Sequence, residues 1–134
     1  MQKMRKVKLE DIRTLAEAAR IQLWQDAKNM QRDVKVYLHW TAGRYGQKYE
    51  EYHINIDQDG TLWVSTDDFA ETLPHTWHRN TASVAVALCC GYGATSNNLG
   101  KFPPTAAQIE AMAQVVAALA QALWLTIDRD RVMT

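Results

Sequence analysis

The chain has 134 residues, 47% of them apolar and 22% charged, which fits one soluble globular domain over residues 1–134 with enough chain to bury a sizeable core. Its 15 basic residues balance its 15 acidic ones, so the formal net charge is +0. That excludes generic nucleic-acid binding, which needs a clustered basic surface. No apolar run reaches the ~20 residues that span a bilayer, so no membrane partner is expected.

The first residues carry a short basic cluster, Lys3, Arg5, Lys6 and Lys8. It reads as a solvated end and has no apolar stretch of the kind a secretory signal carries. Residues 8–30 predict a helix, because Ile12, Leu15, Ala16, Ala19, Leu23 and Ala27 recur at helical spacing. Its start has no Ser, Thr or Asn cap. Residues 34–39 are nearly continuously apolar after Lys35 and predict an inner strand covered on both faces. That strand delivers His39 to a polar turn.

Residues 52–65 predict a β-hairpin around Asp59–Gly60. Alternation puts Tyr52, Ile54 and Ile56 on one side and His53 and Asn55 on the other. Residues 66–80 are polar and irregular, with His75, Trp77 and His78. Residues 83–89 predict a second inner strand, with Val84, Val86 and Leu88 on one face and Ala85, Ala87 and Cys89 on the other. Cys89 and Cys90 are adjacent, so a bridge between them would be strained, and both read as reduced thiols of a protein made in the cytoplasm. Residues 91–104 form a long loop of the kind that is often functional.

Thr105 and Gln108 form a capping-box pattern that opens a last helix, with a stripe of Ile109, Met112, Ala113, Val116, Leu119, Ala120 and Leu123. The order helix, strand, hairpin, strand, helix implies an α/β domain of two or three layers, a mixed β-sheet flanked by helices.

The residues that could carry chemistry are few. His39 sits at a strand end, where a ligand or metal can reach it; the bland alternative is a histidine satisfied in a turn. Tyr52 reads as readily as a core aromatic. His75 and His78 lie three apart in a loop and could share a metal, a weak signal by itself. Asp67, Asp68 and Glu71 read as a solvated acidic patch. No HExxH, paired CxxC, P-loop or GxSxG occurs.

Taken in order, four blocks say more: LHWTAG at 38–43, EYHINIDQDGTLWV at 51–64, HTWHRNTASVAVAL at 75–88 and FPPTAAQIEAM at 102–112. Together they resemble the type-2 N-acetylmuramoyl-L-alanine amidases, a zinc-dependent family that includes phage lysozyme-like amidases and peptidoglycan recognition proteins. The resemblance implies a mixed sheet flanked by helices, with zinc in a groove. It implies His39 as the first zinc ligand, Tyr52 as the catalytic tyrosine and His75 beside the groove. Asn80 and Ser83 match a polar pair before the central strand, and His53 matches a structural position in the hairpin. His78 has no clear counterpart.

The implied reaction is hydrolysis of the amide between N-acetylmuramic acid and L-alanine in peptidoglycan. Zinc would activate a bound water and polarise the carbonyl, and Tyr52 would position that water or stabilise the oxyanion. Trp40, Trp77 and the 91–102 loop would wall the groove for sugar or peptide. Peptidoglycan or muropeptide fragments are the expected partners. The setting would be the cytoplasm, or the cell wall after release as a phage-type lysin.

The family's remaining zinc ligands follow the last long helix, where residues 125–134 contain no histidine or cysteine. Three explanations stay open. The first is a chain lacking a C-terminal ligand segment. The second is a degenerate member that binds cell-wall fragments without cutting them. The third is a rebuilt site using His39 with His75 or His78. The presence of both His39 and Tyr52 favours the first.

Overall fold

The structure is a computed structural model that describes residues 4–76 and 80–134. Its elements are β1 (Arg5–Val7), α1 (Leu9–Asn29), β2 (Lys35–Trp40), β3 (Ile54–Ile56), β4 (Leu62–Val64), β5 (Ser83–Leu88), α2 (Ala106–Leu123) and β6 (Val132–Met133). The strands form one sheet in the order β1-β4-β3-β5-β2-β6. β3, β5, β2 and β6 run parallel, and β4 joins β3 and β1 antiparallel. The sheet is mixed and flanked by helices, as the sequence implied, and of the two or three layers left open the fold has two.

Strand alternation divides the sheet into two unlike faces. Val36, Ile54, Ile56, Leu62, Val64, Val84, Val86 and Leu88 join one apolar cluster with Ile12, Ala16 and Leu23 of α1 and Val115, Leu119 and Leu123 of α2. Both helices therefore cover the same face. In register on the opposite face stand Tyr37 with Ala85 and His39 with Ala87, with Asn55 beside Ala87. No helix covers this second face; the cover expected on both faces holds for β5 and is partial for β2, which is half-buried at His39 and exposed at Trp40. Tyr37 and all of β5 are nonetheless buried, and on this second face the 66–76 segment meets the sheet, through His53 and Ser83.

Local chemistry explains the ends. α1 starts without a hydroxyl cap because the Asp11 carboxylate accepts the Lys8 N–H at 2.9 Å. α2 has the expected box: Thr105 Oγ1 accepts the Gln108 N–H at 3.1 Å, and Gln108 Oε1 accepts the Thr105 N–H at 2.9 Å. Gly60, at φ +86°, makes the β3–β4 turn and lies against Ala107.

Several readings need correction. Arg5 of the basic start is not merely solvated, since it pairs with Val64 in the sheet and bonds Asp67. On α2, Ile109 is 58% exposed and Ala113 is exposed, while Gln108, Val115, Ala118 and Ala122 are buried instead. α2 is also long and apolar enough, by length and composition, to cross a membrane; here its apolar stripe packs on the sheet and α1. Beyond α2 the chain returns to the sheet edge, where Val132 and Met133 pair with Val36 and Tyr37. Both cysteines are free and buried, which pushes the Cys89 thiol up to about 12 and the Cys90 thiol up to about 11.

Candidate functional site

The site stands on the face that the helices leave open. β2 projects Tyr37 and His39 onto it, two residues apart. Thr41 then ends the strand: its N–H donates to Leu88 O at 2.8 Å, its hydroxyl accepts the Gly43 N–H at 3.1 Å, and Ala42 turns at φ 60°. His39 is thus fixed near the last hydrogen-bonded pair of a parallel strand, where α/β sheets commonly bind ligands.

Two buried polar side chains anchor the neighbouring segments. His53 donates from Nε2 to Glu71 O at 2.7 Å and accepts the Ala85 N–H on Nδ1 at 3.0 Å. Its tautomer is therefore fixed, and burial pulls its pKa down to about 4. Asn55 grips Tyr49 through two 3.0 Å bonds, one to its N–H and one to its C=O. Ser65 Oγ donates to Tyr52 O. These contacts bend residues 49–53 away from the alternation of β3. The Tyr52 ring, expected on the Ile54 side, lies instead 5.2 Å from the His39 ring.

His75 completes the group. Its ring centre is 5.2 Å from that of His39, 5.6 Å from Tyr37 and 6.2 Å from His53. A directional chain of hydrogen bonds runs through it. Ser83 Oγ donates to Asn80 O at 2.8 Å, so it accepts from His75 Nε2 at 2.9 Å. His75 Nδ1 is then bare and accepts from His39 Nε2 at 3.1 Å. His39 is left with Nδ1 as its lone-pair nitrogen. Burial lowers the pKa of His39; burial together with the charges of His39 and His53 lowers that of His75 to about 3. Both rings are neutral near pH 7, the state in which imidazole binds metal.

Tyr52 is half-buried, and burial, then Glu51 and Tyr49, raise its pKa. Its hydroxyl stays protonated at neutral pH and can donate a hydrogen bond. Asn80 acts on its loop, where its Oδ1 accepts the Thr76 N–H at 2.7 Å. Trp40, 40% exposed, lies against Gly91 beyond His39. A cavity of about 450 Å³ opens there, lined by Leu38, His39, Trp40, Leu88, Pro104 and Met112. Trp77 and His78 lie outside the described residues. Of the acidic patch, Asp67 pairs with Arg5, Asp68 accepts the Ala70 N–H, and Glu71 offers its carbonyl to His53. Tyr37 was missed; its signal was the same-face spacing from His39.

A catalytic zinc takes three protein ligands and a water. The chemistry of His39 suits such an ion, since a neutral imidazole offers Nδ1 while its other nitrogen is held by a neighbour. The count falls short: among the described residues no group of three or more His, Cys, Asp or Glu side chains is placed to hold a metal. The described residues alone do not make a zinc site.

Comparison with known proteins bears on this arrangement. The profile of a family described as N-acetylmuramoyl-L-alanine amidase matches residues 14–134. Among solved structures, the chain is similar to PGRP-Hd from Alvinella pompejana, with a TM-score of 0.52 and 20% identity over 77% of this chain and 73% of that one. At that identity the likeness speaks for the fold. No curated protein matches.

Proposed function

Since the chain belongs to the N-acetylmuramoyl-L-alanine amidase family, we propose that it hydrolyses the amide between the lactyl group of N-acetylmuramic acid and the L-alanine of the stem peptide, with zinc as cofactor and His39 among its ligands. The observation that carries this reading is the convergence of His39, Tyr52 and His75 on one open face of the sheet, with ring centres 5.2 Å apart on either side of His39. Tyr52 keeps its proton and donates it in a hydrogen bond to the oxygen that gains charge as the amide carbon becomes tetrahedral. His75 holds the orientation and tautomer of His39. Trp40 offers an exposed indole to sugar or peptide.

A second reading is a muropeptide-binding module of the same fold without catalysis. The shortage of metal donors among the described residues favours it. One assay separates the two. The protein is incubated with zinc and a muramoyl peptide, and the products are read by mass spectrometry. Release of a peptide with a free N-terminal alanine, lost in His39→Ala, supports hydrolysis. Binding without release supports the module. Neither binding nor release overturns both.

A further inference from the structure

Along α1 runs a stripe that plays no part at the His39 face. Glu17, Ile21, Trp24 and Lys28 follow one another at steps of four, three and four, so they line up on one side of a helix of 21 residues, about 30 Å long. The buried residues of α1, among them Ile12, Ala16, Leu23 and Ala27, lie on another side. Ile21 is 80% exposed, and Glu17 and Lys28 are exposed on either side of it.

The stripe borders an apolar hollow. A cavity of about 490 Å³ is lined by Arg20, Ile21, Trp24 and Trp124. Two polar groups of that lining are engaged by the end of α2: Arg20 Nη1 donates to Ala122 O at 2.9 Å, and Trp24 Nε1 to Leu123 O at 2.7 Å. Trp124 caps α2 at φ 59°, a left-handed backbone that costs glycine less than any residue with a side chain. That turn holds an indole, 72% exposed, with the Arg20 guanidinium 3.9 Å over it. An apolar knob and an apolar hollow thus sit side by side on one patch, the arrangement that an isologous contact between two copies uses.

The order of the stripe selects how two copies would meet. Charge, apolar, apolar, charge reads at the same spacing from either end, with the sign of the charges reversed. Two α1 helices packed antiparallel about the midpoint of Ile21 and Trp24 set each Ile21 against the partner's Trp24 and each Glu17 against the partner's Lys28. A parallel pair would set Glu17 on Glu17 and Lys28 on Lys28, which repel. Among the described residues, the ion pairs within the chain involve neither Glu17 nor Lys28.

We propose that this side of α1, with Trp124, is the seam of an antiparallel, two-fold homodimer. The helices cover the sheet face opposite His39, so both His39 faces stay open in the dimer.

Sedimentation of the full chain from about 1 to 500 µM, the range of weak specific association, tests this. The mass should rise from monomer to dimer. Ile21→Asp should raise the dissociation constant at least about tenfold, with an unchanged circular dichroism spectrum, because the side chain it replaces is exposed. Glu17→Lys and Lys28→Glu should each weaken the dimer, and the double variant Glu17→Lys, Lys28→Glu should restore it. A monomer at every concentration overturns the proposal, as does a dimer indifferent to Ile21→Asp. Single charge variants that associate like the parent, or a double variant weaker than either, overturn the antiparallel seam.

Discussion

His39 Nε2 lies 3.1 Å from His75 Nδ1, and Ser83 decides which of the two nitrogens carries the proton. With the Ser83 hydroxyl donating to Asn80 O, His75 donates to Ser83 and accepts from His39. A backbone carbonyl thereby sets the tautomer of a histidine two side chains away.

Ser83→Ala tests that chain. It leaves the His75 Nε2–H without its acceptor in a half-buried place, at a cost of about 1–2 kcal/mol. His75 can then exchange tautomers, and the His39 ring signals should broaden or split in nitrogen NMR. Unchanged imidazole signals in the variant would show that Ser83 does not order the pair.

Tyr52→Phe removes one hydroxyl and little else. The ring stays against His39 and the fold is kept. If Tyr52 donates to the oxyanion, muropeptide hydrolysis should fall on the order of 100–1,000-fold with substrate affinity little changed. Hydrolysis at the parent rate would make Tyr52 a packing residue.

Acid should destabilise the protein before its carboxylates titrate. His53 is fully buried and its pKa is pulled from 6.5 to about 4. Above pH 6.5 the ring is neutral in both folded and unfolded chains. Below it the unfolded chain binds a proton that the folded one refuses, so stability falls with pH and levels off near 4. By pH 5 the loss from His53 is about 2 kcal/mol, and His75 adds in the same direction. Urea unfolding at pH 7 and pH 5 measures this. His53→Gln should be less stable at pH 7 yet lose less between the two. An equal loss in parent and variant would contradict the assignment.

Gln108→Leu should cost about 2–3 kcal/mol. The buried amide donates to Ile56 O and to Cys89 O, each at 3.1 Å, joining the ends of β3 and β5 to the first turn of α2. Thermal unfolding reads the loss, and a variant as stable as the parent would mean that water replaces both bonds.

His39 was legible because an apolar strand running into a Thr-Ala-Gly turn leaves little choice about its position, and the ordered blocks behind it named its neighbours. Alternation gave the two faces of β5 correctly, because that strand is regular throughout. It failed for Tyr52, since the side chains of His53 and Asn55 bind distant backbone and pull the chain off the strand. β1 and β6 left no pattern in the sequence: strands of three and two residues exist only through pairing with Val64 and Val36. Gln108 read as a cap, which it is, but nothing in the sequence marked the two carbonyls it also serves.

The claim at the centre is that His39 presents Nδ1 to a metal because His75 takes its Nε2–H. Long-range proton–nitrogen spectra of the imidazoles, recorded as zinc is added, measure it directly. The account predicts that His39 Nδ1 moves on zinc addition while His39 Nε2 keeps its proton, and that His39→Ala loses the effect. A metal-dependent shift at His39 Nε2, or no shift at His39 at saturating zinc, would contradict it.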